Sequence, residues 1–498
     1  MQAKYLRSLF FLLFLNLIIK PVWLLGIDRG VQHAVGIDSY GIYYFIISIS
    51  FYLQMVLDPG LHTHNNKTLA QEPNNLSKNL EEFLPLKFLL SLLYIVATIG
   101  IGIVMIWLNK GKTAASPTEQ VFDFRAMGLL LWVAFNQVLA SFILYMRSSL
   151  SGIYLFNTDS IFSVLDRSLM IIIVGVMLWG HFLPKPFHIE WFVYAQTGSY
   201  IITSIAVTIT VLSKTHEKLK RPKIKLFAYK DILTQSYPFA VLAFLMVLYS
   251  QIDRTMVYNM RPDGDHEVGL YAMAYRMLDA FNQVAFLFAT ILLPVFTGHI
   301  HRKEPLGETV RVFAKLLLIP GLLLVLISFF YRNQIMILLY KDQSSYYLGE
   351  VFGWLMISFL ALSMVYIYGT LLTANGNLKF LNWTAAAGLI VNIIINLILI
   401  PKMGVLGAVV ATLVTQFAVS ILQFWKAHQL FILNVSNRES AKVLIYIAVA
   451  VLSFRFLHDF SSSWYYSLMA LTVLNLTFAF FIGLLDFKFF LNILKFRA

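Results

Sequence analysis

The residues of this chain with the most specific chemistry are charged side chains set in long apolar runs. Lys20 stands mid-run beside Pro21, with no acidic residue within a helical turn. Asp166-Arg167 and Asp253-Arg254 interrupt two further runs. Arg276 and Asp279 are three apart, so on a helix they share a face and can pair. Arg147 closes another run. Ionisable groups at membrane depth are expensive and face a cavity or a partner. Lys and Arg hold phosphate by charge-assisted hydrogen bonds. Lys20, Arg167, Arg276 and Arg147 are therefore candidates for a cationic cavity that takes an anionic headgroup, with Lys20 foremost.

Each has a plainer alternative. Lys20 snorkels or meets an interhelical partner, Arg276 and Asp279 neutralise each other, and Arg147 anchors the inner face. Asp166 and Arg167 are adjacent, so they project about 100° apart, and Arg167 is the better anion ligand. Asp166, Asp253 and Asp279 are candidates for a coupling cation or proton. Walker A, Gly-x-Ser-x-Gly and His-Glu-x-x-His patterns are absent. His62/His64 and His299/His301 offer too few ligands for a metal. The expectation is a protein that is not an enzyme and has no cofactor.

The elements that position these residues follow from composition. The 498 residues are 59% hydrophobic and 13% charged, with mean hydropathy +0.74. Soluble domains are about 45–50% apolar and about 25% charged, so a polytopic membrane protein is indicated. Helical spans need about 20 apolar residues. Fourteen are predicted, near 9–27, 41–58, 85–108, 125–146, 159–180, 190–213, 237–258, 269–297, 311–331, 351–374, 380–400, 406–424, 441–457 and 466–485. The first is long, carries Lys20-Pro21 and lacks a small-residue cleavage site, so it reads as a retained span. With the N-terminus inside, inner segments hold 22 Lys and Arg and outer segments eight. That bias predicts both termini in the cytoplasm. It also accounts for the net charge of +13 without nucleic acid. The absence of cysteine excludes disulfides.

One pattern occurs twice. Ile27-Asp28-Arg29 is followed, after eleven further residues, by Gly41-Ile42-Tyr43; Ile252-Asp253-Arg254 is followed, after fourteen, by Gly269-Leu270-Tyr271. Six predicted spans separate the copies, so they share an orientation, as in transporters built from parallel repeats. The expected architecture is an N-terminal six-helix lobe (1–213), a basic cytoplasmic linker (214–236), a C-terminal six-helix lobe (237–425) and two additional spans (426–498). The lobes would face each other around a central cavity. Arg29, Arg254 and Asp253, near the outer face, are candidates for a gate or lobe interface, or else plain interfacial anchors. Pro21 and Pro238 are hinges or static kinks.

The second copy of this pattern resembles spans 7–8 of polysaccharide flippases in the MOP superfamily. Leu371-Leu372-Thr373-Ala374-Asn375-Gly376-Asn377, then Asn392, Asn396, Pro401 and Gly404-Val405-Leu406-Gly407-Ala408, resemble the signature of spans 10–12 there. The fourteen-span layout is similar too. The resemblance, to the Wzx-like O-antigen and capsule type, implies a flippase in polysaccharide or lipopolysaccharide biosynthesis. It would move polyprenyl-pyrophosphate-linked oligosaccharide from the cytoplasmic to the periplasmic leaflet of a bacterial inner membrane. Implied partners are that substrate, membrane lipids and other polysaccharide assembly proteins. Alternatives are a lipid II flippase, a multidrug/cation antiporter of the same superfamily or a membrane polymerase; the short outer loops argue against the last.

Overall fold

The computed structural model describes residues 15–16, 18–109, 124–180, 186–215, 226–431, 433, 437–458, 460 and 463–485. Residues 216–225 of the basic linker lie outside that set. The described residues are predominantly helical, joined by short turns, with no strand among them.

Span 1 is a π-helical segment, Val22–Asp28, continued by α1 (Arg29–Val35). Pro21 immediately precedes the π segment. Next come α2 (Ile37–Tyr52), the short polar helix α3 (Leu61–Gln71), α4 (Leu76–Asn109), α5 (Phe124–Gly152), α6 (Phe156–Trp179) and α7 (Ile189–Leu212). The second half of the chain holds α8 (Leu226–Met260), α9 (Gly264–His301), α10 (Gly307–Phe330), α11 (Tyr346–Met364), α12 (Leu378–Met403) and α13 (Val405–Phe431). Finally come α14 (Asn437–Leu457) and α15 (Trp464–Phe481).

Ten helices among the described residues are long and apolar enough to cross a membrane. The chain is therefore an all-α multi-pass membrane protein. The four predicted spans outside those ten, near 9–27, 41–58, 237–258 and 269–297, are those around the repeat. They are helical as well, over their described residues. Helix α2 is short at 16 residues, and α8 and α9 carry Asp253, Arg254, Arg276 and Asp279.

The helices cluster into two compact units, Met1–Met273 and Ala274–Ala498. In the first, Leu69, Leu80, Phe83, Tyr145 and Val211 form a buried core beneath α3. Asn65 of α3 locks that helix to α5, donating to Ser148 Oγ at 2.6 Å and Ser149 Oγ at 2.9 Å. In the second unit, the Pro-x-x-Gly-x-x-Gly stretch makes a tight helical hairpin. Gly404, with φ +60°, ends α12. Gly407 brings α13 against the α12 backbone, where a Cβ would stand 2.5 Å from the Leu399 carbonyl carbon. Asn396 donates to Asn392 Oδ1 at 3.0 Å, both fully buried, so each meets part of the other's polar demand within an apolar bundle. The two C-terminal helices pack on α10 through Leu323, Tyr446, Phe454 and Leu471. A Lys315–Glu439 ion pair joins α10 to α14.

Candidate functional site

In the first unit, a cavity of about 240 Å³ opens between the end of span 2 and helices α5, α6 and α7. Its polar lining includes Gln54, Asp58, Gln137, Arg147, Asp166 and Tyr200. Arg147 reaches it from the C-terminal part of α5, with its Nε 2.8 Å from Asp159 Oδ1 on α6. Asp166 comes from α6, and its Oδ2 lies 3.6 Å from Arg167 Nε. The guanidinium of Arg167 sits 5.3 Å from the centre of the Trp23 ring, within cation–π range. Half-buried Lys20 is within electrostatic reach of Arg167, Arg147 and Asp166. The structure thus gathers four sequence candidates, from spans 1, 4 and 5, into one charged neighbourhood. Adjacent residues 166 and 167 pair loosely with each other while only Asp166 lines the cavity.

Trp23 belongs to an aromatic series that leads away from the cavity. It stacks on Phe192 at 5.8 Å; Phe192 meets Tyr43 edge-on at 5.5 Å, and Tyr43 meets Tyr40 at 5.5 Å. Tyr40 donates to Asp28 Oδ1 at 3.0 Å. In the other repeat copy, Tyr271 donates to Asp253 Oδ2 at 3.3 Å. Both aspartates are buried, and each receives a tyrosine hydroxyl. Arg254, also buried, lies 3.9 Å above the Tyr44 ring and donates to Gln251 Oε1 at 2.5 Å. Arg29 is half-buried at the start of α1, apart from these contacts.

The two repeat copies touch directly. A Cβ on Gly41 would stand 1.9 Å from the Asp265 carbonyl oxygen, and one on Gly269 would stand 2.2 Å from that of Ile37. Only glycine permits so close an approach. Phe45 stacks on Tyr258 at 3.8 Å, Tyr52 bonds Thr255 at 2.5 Å, and His266 Nδ1 lies 2.8 Å from Asp38 Oδ1.

Arg276 and Asp279 fall in the second unit, 3.7 Å apart, with Tyr366 near Asp279. They take no part in the cavity described above.

Sequence reading missed Asp58, Lys87, Asp159 and the two glutamines. Lys87 is buried, and its ammonium donates to Leu57 O (3.0 Å), Asp58 Oδ2 (3.2 Å) and Ser141 Oγ (2.6 Å). The same rule that singles out Lys20 applies to Lys87, which also stands within a predicted apolar span. Its nearness to the span's start disguised it.

Residues 30–300, more than half of the chain, match the family described as polysaccharide biosynthesis protein. The chain belongs to that polysaccharide biosynthesis protein family. No curated protein matches this family member's sequence. Among solved structures, it is similar to the lipid II flippase MurJ in an inward closed conformation. The identity is 17%, with 97% of each chain covered and a TM-score of 0.65. It is also similar to an inward-facing multidrug resistance MATE family transporter of the MOP superfamily, at 14% identity, 84% and 94% coverage and TM-score 0.60. A MOP superfamily transporter from Pyrococcus furiosus, described as having a binding pocket of reverse polarity, matches at 14% identity, 85% and 95% coverage and TM-score 0.55. These likenesses establish the MOP-type fold for the polysaccharide biosynthesis protein, as its sequence motifs suggest.

Proposed function

We propose that this protein is a flippase for polyprenyl-pyrophosphate-linked oligosaccharide in a bacterial inner membrane. It moves the headgroup from the cytoplasmic to the periplasmic leaflet by alternating access of two lobes, 1–213 and 237–425, with both termini in the cytoplasm. The observation that carries this reading is the gathering of Lys20 and Arg167 beside a cavity lined by Arg147, in a polysaccharide biosynthesis family member. An anionic pyrophosphate gains most where several cations converge at membrane depth. The chain performs no covalent step; transport is driven by an ion gradient or by removal of product on the far side.

The Gly41–Gly269 contact, with Asp38–His266 beside it, lies on the outer side in this orientation. That favours a resting state closed to the periplasm and ready to load from the cytoplasm. A lipid II flippase is the second reading, favoured by the full-length likeness to MurJ; its substrate offers the same pyrophosphate chemistry.

The test is headgroup translocation in liposomes. A fluorescent polyprenyl-pyrophosphate oligosaccharide is followed by its accessibility to an impermeant sugar-modifying reagent, with lipid II in a parallel set. Protein-dependent movement of the oligosaccharide lipid is expected. Movement of lipid II alone would favour the second reading, and movement of neither, with or without a proton or sodium gradient, would overturn both.

A further inference from the structure

The cavity in the first unit has the wrong balance of charge for a site that holds only pyrophosphate. Of its two carboxylates, Asp58 is paired with Lys87 at 3.2 Å, and Asp166, 3.6 Å from Arg167, is only loosely paired; its one guanidinium, Arg147, has its Nε already engaged by Asp159. The remaining polar lining is neutral: Gln54, Gln137 and the Ser141, Ser163 and Tyr200 hydroxyls. Phe162 supplies an apolar wall. Among the described residues, neither Gln54 nor Gln137 has a hydrogen-bond partner. Each carboxamide offers two donors and an acceptor carbonyl. The cations Lys20 and Arg167 are neighbours of this cavity, not part of its lining.

Size also discriminates. A volume near 240 Å³ is roughly eight water volumes at about 30 Å³ each, more than one directly liganded ion fills. It is below the range of about 300–1,000 Å³ usual for drug-sized ligands. One compact ring rich in hydroxyls fits both the volume and the mixed donor–acceptor lining. A site built to bond hydroxyls discriminates strongly, because its polar groups go unpaired when the hydroxyls are missing.

We infer that this cavity is a sugar subsite, which takes one uncharged or amino-bearing sugar ring of the lipid-linked substrate and rejects an acidic sugar. This rests on the flippase reading above. Gln54 and Gln137 bond the ring hydroxyls, Asp166 accepts from a hydroxyl or an ammonium, and Phe162 and Tyr200 flank the ring. The pyrophosphate stays with Lys20 and Arg167 next to the cavity. The loosely paired Asp166 in the lining repels a uronate carboxylate at short range.

The test is equilibrium binding to the purified full chain of three short-chain polyprenyl pyrophosphates. One is bare, one carries a single hexose and one a single hexuronic acid. The hexose lipid should bind at least tenfold tighter than the bare lipid, and the uronate lipid no tighter than the bare one. In Gln54→Leu/Gln137→Leu the hexose advantage should vanish while affinity for the bare lipid is kept. Equal binding of bare and hexose lipids to the unaltered protein would overturn the sugar subsite and leave the flippase reading standing. So would a tighter grip on the uronate lipid, or a hexose advantage that survives in the double variant. Failure to bind any of the three would instead count against the flippase reading itself. The wild-type comparison needs no variant, so a poorly folded double variant leaves the test intact.

Discussion

Gly41 and Gly269, each the first residue of a repeated Gly-aliphatic-Tyr, lie backbone to backbone: a Cβ on Gly41 would stand 2.9 Å from the Gly269 amide nitrogen. The repeat is thus a contact as well as a pattern, because its two copies supply both halves of one close approach. Gly269→Ala forces the Ile37 carbonyl to move. Overpacking of this kind costs about 1–3 kcal/mol, or roughly five- to 150-fold in the population of the touching state. Slower headgroup translocation in liposomes, with normal abundance, is the expected outcome. An unchanged rate would mean that the contact is not part of the cycle.

The chain has no cysteine, so a paired substitution can be read without background. Asp38→Cys with His266→Cys should cross-link under mild oxidation and stop translocation, and reductant should restore it. Cross-linking without loss of transport would show that the two helices need not separate.

Lys20 tests the anion site. Lys20→Ala removes a cation from the Arg147–Asp166–Arg167 neighbourhood. Loss of a charge-assisted hydrogen bond is worth about 1.5–3 kcal/mol, so export should fall roughly ten- to hundredfold while the protein still inserts. Lys20→Arg should retain most activity. Normal export from the alanine variant would remove Lys20 from the site.

Lys87 answers to stability instead. Its side chain is 2% exposed and the Asp58 side chain 7%. Lys87→Met removes the cation from a buried carboxylate, which keeps His62 and the Gly60 amide. The cost is below the ~3–5 kcal/mol of a fully broken buried pair and should lower the thermal midpoint in detergent. Adding Asp58→Asn should recover most of the loss. If the single variant melts like the unaltered protein, the pair contributes nothing to stability.

The Asp38–His266 pair sets a pH dependence. The hydrogen bond that His266 Nδ1–H donates to Asp38 raises the imidazole pKa above its ordinary value; partial burial opposes this, and Asp263 and Glu267 add to it. A pKa higher in the folded protein means that the contribution is complete below about pH 6.5 and is lost as pH rises through the raised value. Both side chains are well exposed, 46% and 40%, so the effect is small, at most about 1 kcal/mol. The thermal midpoint should fall slightly from pH 6.5 upward, and His266→Asn should flatten that slope. An identical slope in the variant would assign the effect elsewhere.

The helical membrane architecture was legible because apolar runs leave few alternatives in a bilayer. The repeat was legible as well, since Gly41 and Gly269 are fixed by a backbone contact that no other residue tolerates. The placement of Lys20 beside Arg147 and Asp166–Arg167 was not, because it depends on how spans 1, 4 and 5 pack, which residue type and spacing do not encode. Lys87 was hidden by its distance from Asp58. They are 29 residues apart in sequence, too far for any helical spacing rule, and the pair forms only when span 3 folds back along span 2. Gln54 and Gln137 drew no notice because an uncharged amide in a long span looks like any other polar residue until a cavity appears beside it.

The burial of Lys87 has a consequence for how the protein is made. A lone lysine in an inserting helix disfavours insertion, by about 2.5–3.5 kcal/mol at the helix centre and by less near its start, where Lys87 stands. Asp58 precedes Lys87 in the chain and has already left the ribosome when α4 emerges. Pairing with Asp58 supplies the opposite charge and offsets that penalty. The ion pair bears on biogenesis as well as on the finished fold.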